Sequence, residues 1–151
     1  MGLNQLMDLI SEIRDAWGWT GIDPLRVVSQ NDFGNLIIRD KDGKYWRLCP
    51  EDVYCEVIAK DQNELDNLSK DAEFLEDWRM SALVEAARNS VGLLTEGRAY
   101  HLVIPGALGG AYDVSNIRSA PIVELIRFSG DLGKQIRDLP DGEQVQLKLI
   151  D

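Results

Sequence analysis

Hydrophobic and polar residues alternate on both sides of a short polar turn, a pattern typical of a β-hairpin over residues 35–48. A three-residue loop that ends at Gly43 in the left-handed conformation pairs Asp40 with Lys44. A two-residue loop would exchange the core and solvent faces, so the three-residue register is predicted. The apolar face then consists of Leu36, Ile38, Trp46 and Leu48. The opposite face, predicted to be half solvent-exposed, carries Ile37, Arg39, Tyr45 and Arg47.

Apolar residues also recur at helical spacing, and acidic residues at the starts of these segments suit helix N-termini. The predicted helices cover residues 3–16, 61–70, 71–90 and 121–136. Further strands are predicted over 25–29, 53–59, 100–104 and 145–149. An isolated hairpin is marginal in water, so helices must cover its apolar face. The pattern therefore predicts one α+β domain over residues 1–151, a mostly antiparallel sheet built on the 35–48 hairpin and packed against three to four helices.

Composition adds a strong charge imbalance to this picture. The chain has 151 residues, 44% of them hydrophobic, with 16 basic and 26 acidic residues and a net charge of −10. Such a surface repels nucleic acid and anionic lipid, so neither is expected as a direct partner. No stretch approaches the length of a membrane span, and the N-terminus lacks the pattern of a signal peptide. A cytoplasmic location is expected, while the oligomeric state is left open.

Most of the negative charge lies in one stretch. Residues 51–77 hold ten acids and two lysines, which gives −8 of the net −10. One interpretation is a docking surface for a basic partner, because complementary fields speed encounter and exclude wrong partners. The other is solvated helix faces with well-capped N-termini. The predicted partner-binding set is Glu51, Asp52, Glu64, Asp66, Asp71, Glu73, Glu76 and Asp77.

Motifs for catalysis, metals and cofactors are not found in the sequence. Cys49, Cys55 and His101 are too few for a zinc site of Cys and His ligands, and the EF-hand and nucleophile-elbow patterns are missing. No catalytic residue, metal or cofactor is therefore expected. The glycine-rich loop over 105–112 matches no phosphate-binding motif, so a structural turn is the simpler interpretation. A rival hypothesis is a small-ligand-binding or regulatory domain with a pocket at His101, Gly109, Gly110 and Tyr112.

Several short motifs together resemble one known family. They are Trp17-Gly18-Trp19, Asp32 to Ile37, Asp42 to Glu51, Cys55 to Ala59, Leu108 to Tyr112, Ser129-Gly130 and Lys134 to Gly142. The combination is similar to the C-terminal domain of type VI secretion DNase-immunity proteins, formerly a domain of unknown function. The similarity runs over nearly the whole chain. A more distant resemblance is to the SMI1/KNR4-like immunity proteins.

The resemblance implies a role as an antidote without enzymatic activity. In better-known members, an N-terminal GAD-like domain precedes this one, and the protein neutralises a co-encoded nuclease effector. Met1 lies close to the Trp-Gly-Trp segment, so the GAD-like domain is expected to be absent here. The expected partner is a cognate effector toxin, a basic nuclease, whose phosphate-binding site an acidic surface could occupy.

Overall fold

The computed structural model describes residues 3–137, with side chains from residue 9 onward. The helices are α1 (Leu3–Trp17), α2 (Gln62–Leu68), α3 (Ala72–Arg79), α4 (Ser81–Val91) and α5 (Ile122–Ile136). The strands are β1 (Pro24–Gln30), β2 (Leu36–Asp40), β3 (Tyr45–Cys49), β4 (Tyr54–Ala59), β5 (Arg98–Leu102) and β6 (Ile117–Pro121). The predicted α+β class is confirmed. The strand predicted over 145–149 lies outside the described residues.

The main sheet is antiparallel, with the strands in the order β1-β2-β3-β4, and β5 and β6 form a separate two-stranded antiparallel sheet. The predicted hairpin is β2 and β3, and its register is confirmed, because Leu36 pairs with Leu48 and Ile38 with Trp46. Gly43 has the predicted left-handed conformation, with φ 90°. The alternation of side chains within 14 residues was therefore enough to fix the pairing.

One face of the sheet packs against α1 and α5, as the apolar pattern predicts. Leu36, Ile38 and Leu48 are fully buried there, and Trp46 is 8% exposed. Helix α1 contributes Leu9, Ile13 and Trp17, and α5 contributes Ile122 and Ile126. The two helices contact each other as well as the sheet. The main core of the domain therefore lies between this helix pair and the hairpin.

Helices α1 and α5 approach closely at Gly130. A Cβ atom at this position would lie 2.5 Å from the carbonyl oxygen of Ala16, so a larger residue does not fit without movement. The Trp19 indole N–H lies at the same crossing and donates to the carbonyl oxygens of Ala16 (3.0 Å) and Gly130 (3.2 Å). Helix α5 continues through Ser129, whose hydroxyl donates to the Leu125 carbonyl oxygen at 2.6 Å. Trp19 is thus part of the helix packing.

The other face of the sheet is also covered, so the prediction that it is half solvent-exposed is wrong. Tyr45 is 2% exposed, Ile37 6% and Arg47 6%. Helices α2 and α3 follow β4 and cover this face with four apolar side chains, Leu65, Leu68, Phe74 and Trp78. The apolar residues of these helices bury the second face, and their remaining residues become the outer surface of the domain.

The helix predicted over 71–90 is divided at Met80. Met80 has φ 48°, a left-handed conformation that is uncommon for residues other than glycine. Helix α3 therefore ends one residue earlier, and α4 starts in a new direction to pack on β5 and β6. The side chain of buried Asn31 stabilises this break by donating from Nδ2 to the Trp78 carbonyl oxygen at 2.8 Å. The sequence predicted one continuous helix because its apolar residues keep helical spacing on both sides of Met80.

Candidate functional site

The outer surface of α2 and α3 brings together most of the predicted acidic set. We call it the acidic helical surface. It consists of Glu64, Asp66, Asp71, Glu73, Glu76 and Asp77. Five of these residues are exposed and Glu64 is half-buried. They occupy this surface because Leu65, Leu68, Phe74 and Trp78 turn the opposite sides of the two helices toward the sheet.

Some of these carboxylates also have a structural role at helix starts. Asp71 is the N-cap of α3 and accepts from the backbone N–H groups of Glu73 (2.9 Å) and Phe74 (3.2 Å). Glu64 accepts from the Lys60 backbone N–H at 2.8 Å and forms an ion pair with the Lys60 ammonium group at 3.6 Å. Capping therefore accounts for part of the acidic stretch, as the alternative interpretation predicted. Asp66, Glu73 and Glu76 have no capping role among the described residues.

Asp77 is fixed by a buried arginine that the sequence analysis placed on a half-exposed face. Arg47 Nη1 donates to Asp77 Oδ2 at 2.6 Å, while 68% of the Asp77 side chain remains exposed. The guanidinium lies 5.2 Å from the centre of the Trp78 ring, and its Nε donates to Asn35 Oδ1 at 3.0 Å. Arg47 thus connects α3 to the centre of the sheet, while most of the Asp77 side chain stays accessible to a partner.

Glu51 does not belong to the surface, which corrects its place in the predicted set. It is 5% exposed, and both carboxylate oxygens accept from Asn35 Nδ2, at 2.9 and 2.8 Å. Burial raises the pKa of Glu51, and the hydrogen bonds from Asn35 oppose this only in part. Glu51 is therefore an interior residue at the end of the network that begins with Asp77 and Arg47.

Asp52 is exposed but lies on the turn between β3 and β4, where it accepts a hydrogen bond from the Tyr112 hydroxyl. Its neighbour Val53 has φ 55°, an unusual conformation for a β-branched residue. The Cys49 thiol and the carboxylates of Glu51 and Asp52 lie within 4.8 Å of one another. Burial and the adjacent carboxylates raise the pKa of Cys49, which favours a protonated thiol over a thiolate ligand.

In the part of the chain that the structure describes, His101 and Tyr112 of the alternative ligand pocket lie in different cavities. His101 lines a space of about 20 Å³ beside Glu51 and Ser129, whereas Tyr112 lines a separate open groove. Burial lowers the pKa of His101, which favours its neutral form. Gly110 has a structural role, because a Cβ atom there would lie 1.7 Å from the Ile104 carbonyl oxygen. This arrangement gives no support to the pocket.

Three buried polar residues were not predicted from the sequence, and all are at most 9% exposed: Asn35, Arg47 and Asn116. Asn35 and Arg47 connect Glu51 to Asp77, whereas Asn116 holds the loop over residues 103–116. The available signal for Arg47 was its place between Trp46 and Leu48, on the face with Tyr45, opposite a run of acids later in the chain. A charged residue on a buried face needs a partner, and the acidic helix was the available one.

Comparisons with known proteins place the chain in a class, the immunity proteins of the type VI secretion system (T6SS). The family model described as "T6SS immunity protein Tdi1, C-terminal" matches residues 59–133, about half of the chain. The chain belongs to this family through the segment that runs from the end of β4 into α5. Every residue of the acidic helical surface lies within the matched segment.

A solved structure shares the fold. The crystal structure of Atu4351 from Agrobacterium tumefaciens aligns with a TM-score of 0.54 and 18% sequence identity. The alignment covers 80% of this chain and 62% of Atu4351, so the chain spans less than two thirds of the length of that protein. At this identity the likeness concerns the fold alone. No curated protein matches the sequence. Within residues 3–137, every helix is too short or too polar to cross a bilayer.

Proposed function

We propose that this chain is an immunity protein that binds a cognate T6SS nuclease effector and covers the basic active site of that toxin with the acidic helical surface. The observation that carries the proposal is the position of these carboxylates, which project from α2 and α3 within the segment that matches the family. The protein acts by occlusion in the cytoplasm and performs no reaction itself.

Charge complementarity supports a nuclease as the toxin. A nuclease must present basic groups to hold phosphates, and those groups also attract carboxylates. Asp66, Glu73, Glu76 and Asp77 offer such carboxylates on two adjacent helices. Since the whole chain carries −10, its field also speeds encounter with a basic partner.

The acidic helical surface is well suited to binding because it is held in place before the partner arrives. Phe74 and Trp78 stack with ring centres 6.4 Å apart and pack on the sheet beneath α3. Arg47 fixes Asp77 from inside, and Asp71 caps the first turn of α3. A surface already ordered in the free protein loses less conformational entropy on binding.

The first experiment is co-expression with the toxin encoded beside this chain. We expect growth to be rescued and the two proteins to elute together from a sizing column. Failure of both would reject the immunity role. If rescue and complex formation occur but the toxin leaves nucleic acid intact, the T6SS immunity role stands and the nuclease assignment is wrong.

The second experiment tests the surface with the triple variant Asp66→Lys, Glu73→Lys and Glu76→Lys, which leaves the capping residues and Asp77 in place. We expect affinity for the toxin to fall about 100-fold or more, because the attraction between the carboxylates and the basic toxin becomes a repulsion between like charges. The matched control carries Asp42→Lys, Glu85→Lys and Glu124→Lys at exposed positions outside the surface. It has the same net charge, so an equal loss of affinity in both variants would contradict the proposal.

A further inference from the structure

A second surface, separate from the acidic helices, has the features of a protein-binding groove. It lies between α4 and the loop over residues 103–116 and has a volume of about 410 Å³. Its lining consists of Ala82, Leu83, Ala86, Tyr112, Asp113 and Val114. The lining is mainly apolar, and Asp113 is the charged member. Leu83 also packs against the buried cluster around Tyr100 and Ile117. The proposed inhibition of a nuclease by charge does not use this groove.

The loop that forms one wall exposes an unusual amount of apolar surface. Val103, Ile104 and Tyr112 are 49%, 52% and 49% exposed, and Val114 is 40% exposed. Four large apolar residues exposed within twelve positions are unusual on a monomer, where such residues tend to be scattered singly. Of these four, Tyr112 and Val114 line the groove. Exposed apolar groups in a groove with a polar rim are typical of binding sites.

The same loop is held rigidly. Asn116 accepts from the Ile104 N–H and donates to the carbonyl oxygens of Ile104 and Ala111, each at 2.9 Å. Gly106 N–H donates to the Glu51 carbonyl oxygen at 2.6 Å, and the Tyr112 hydroxyl donates to Asp52. These bonds hold the backbone that carries the exposed apolar side chains, and the last of them also holds the Tyr112 ring. A rigid apolar surface loses little entropy on binding, so the geometry favours a partner over exposure to water.

The charges beside the groove indicate what kind of segment fits. Asp113 is exposed at the rim, and Asp52 lies next to Tyr112. Hydrogen bonds from the Ser115 hydroxyl and from the Val114 N–H lower the pKa of Asp113, so its carboxylate is charged at neutral pH. No basic residue is among those that line the groove. An apolar side chain with a neighbouring Lys or Arg matches this combination.

We infer that the groove between α4 and the 103–116 loop is a second contact for the toxin and receives an apolar side chain flanked by Lys or Arg. This inference rests on the proposed function for the identity of the partner. A second copy of the chain is a poor occupant, since each copy carries −10 and the groove itself is acidic. Apolar contacts here would slow dissociation, while the acidic helical surface speeds encounter.

The test uses three labelled peptides of equal length in a Gly-Ser frame, with the central sequences Lys-Leu-Leu-Lys, Glu-Leu-Leu-Glu and Lys-Ser-Ser-Lys. We expect the first to bind about tenfold tighter than the other two, because only it supplies both the apolar and the basic groups. Two-dimensional NMR of the labelled protein should show shifts at residues 82–86 and 112–114. Equal binding of the peptides, or shifts confined to the acidic helical surface, would overturn the inference.

Variants locate the contact without relying on the peptide alone. Val114→Ser removes apolar surface from the groove, and Ala82→Gln fills it with a residue that suits a helix. Both should weaken the Lys-Leu-Leu-Lys peptide and shorten the lifetime of the toxin complex about tenfold. Leu93→Ser is the control, because Leu93 is 81% exposed and does not line the groove. If all three variants behave alike, the groove is not the contact.

Two further outcomes separate the hypotheses. If toxin rescue succeeds but the peptide fails to bind the groove, the immunity role stands and this inference fails. If rescue and complex formation both fail while the peptide still binds the groove, the toxin is not the partner, and both the proposed function and the assignment of the groove to the toxin are wrong. Sedimentation tests the remaining occupant: dimers that Val114→Ser and Ala82→Gln abolish would make the groove an interface between copies and overturn the inference.

Discussion

At the scale of residues, single buried polar groups stabilise turns and connections of the fold. Asp40 closes the β2–β3 hairpin with one carboxylate. Its Oδ1 accepts from the N–H groups of Asp42 (2.8 Å) and Lys44 (2.9 Å), and its Oδ2 accepts from the Trp46 indole at 2.8 Å. Burial tends to raise the pKa of Asp40, but these hydrogen bonds prevail and lower it.

Asp40→Asn should therefore destabilise the protein. The amide keeps one acceptor but turns an N–H group toward the Trp46 N–H, and we expect a loss of about 2 kcal/mol in the free energy of unfolding. Because the pKa of Asp40 is lower in the folded state, its contribution is present above the unfolded pKa of about 4 and is lost as the pH falls through the folded value. Urea titrations at two pH values measure this, with exposed Asp42→Asn as the control.

Glu51 has the opposite behaviour. The pKa of Glu51 is raised in the folded state, so the folded protein binds more protons than the unfolded chain. The free energy of unfolding of the protein therefore falls as the pH rises above about 4. Glu51→Gln removes this titration. We expect the stability of the variant relative to the wild type to increase with pH until the folded pKa is passed. A stability difference that does not change with pH would show that the Glu51 carboxyl is solvated.

At the scale of elements, the packing of α1 on α5 depends on a residue without a side chain. Gly130→Ala gains about 1 kcal/mol of helix propensity, but its Cβ atom would lie 2.5 Å from the Ala16 carbonyl oxygen. Overpacking of this kind costs about 1–3 kcal/mol. We expect a net loss of about 1 kcal/mol in thermal or urea unfolding. Gly18→Ala is the control, because its Cβ atom meets nothing within 4 Å.

The elements also show which parts of the fold can be predicted from the sequence. The hairpin register was predictable because it depends on alternation between neighbours and on one glycine. Strand β6 was missed because Ile117–Pro121 is short, ends in proline and pairs with a strand fifteen or more residues away. The break at Met80 was missed because its stabilising contact comes from Asn31, far away in the sequence.

The same division applies to the candidate site. Acidic residues on helices with apolar inner sides were predictable from composition and periodicity, and they form the acidic helical surface. Glu51 was wrongly grouped with them because its burial depends on Asn35, whose position is set by the tertiary fold. The apolar groove beside α4 was not predicted, since its walls come from segments more than twenty residues apart.

At the scale of the whole molecule, the net charge of −10 should determine how fast a basic partner binds. We expect the association rate with the toxin to fall about tenfold or more between about 50 and 500 mM salt, because salt screens the steering field. Dissociation should change much less, since the contacts are short-range. Stopped-flow mixing separates the two rates. The triple lysine variant should show a weaker salt dependence, and an equal slope would contradict steering by the helices.

The placement of the four tryptophans has a practical consequence. Trp17, Trp19 and Trp46 lie on the side of the sheet that α1 and α5 cover, whereas Trp78 lies under α3 beside Arg47 and Asp77. A ligand that engages Asp77 changes the electric field at the Trp78 indole and leaves the other three rings in their environment. The fluorescence of Trp78 in the unlabelled protein thus reports binding at the face formed by α2 and α3.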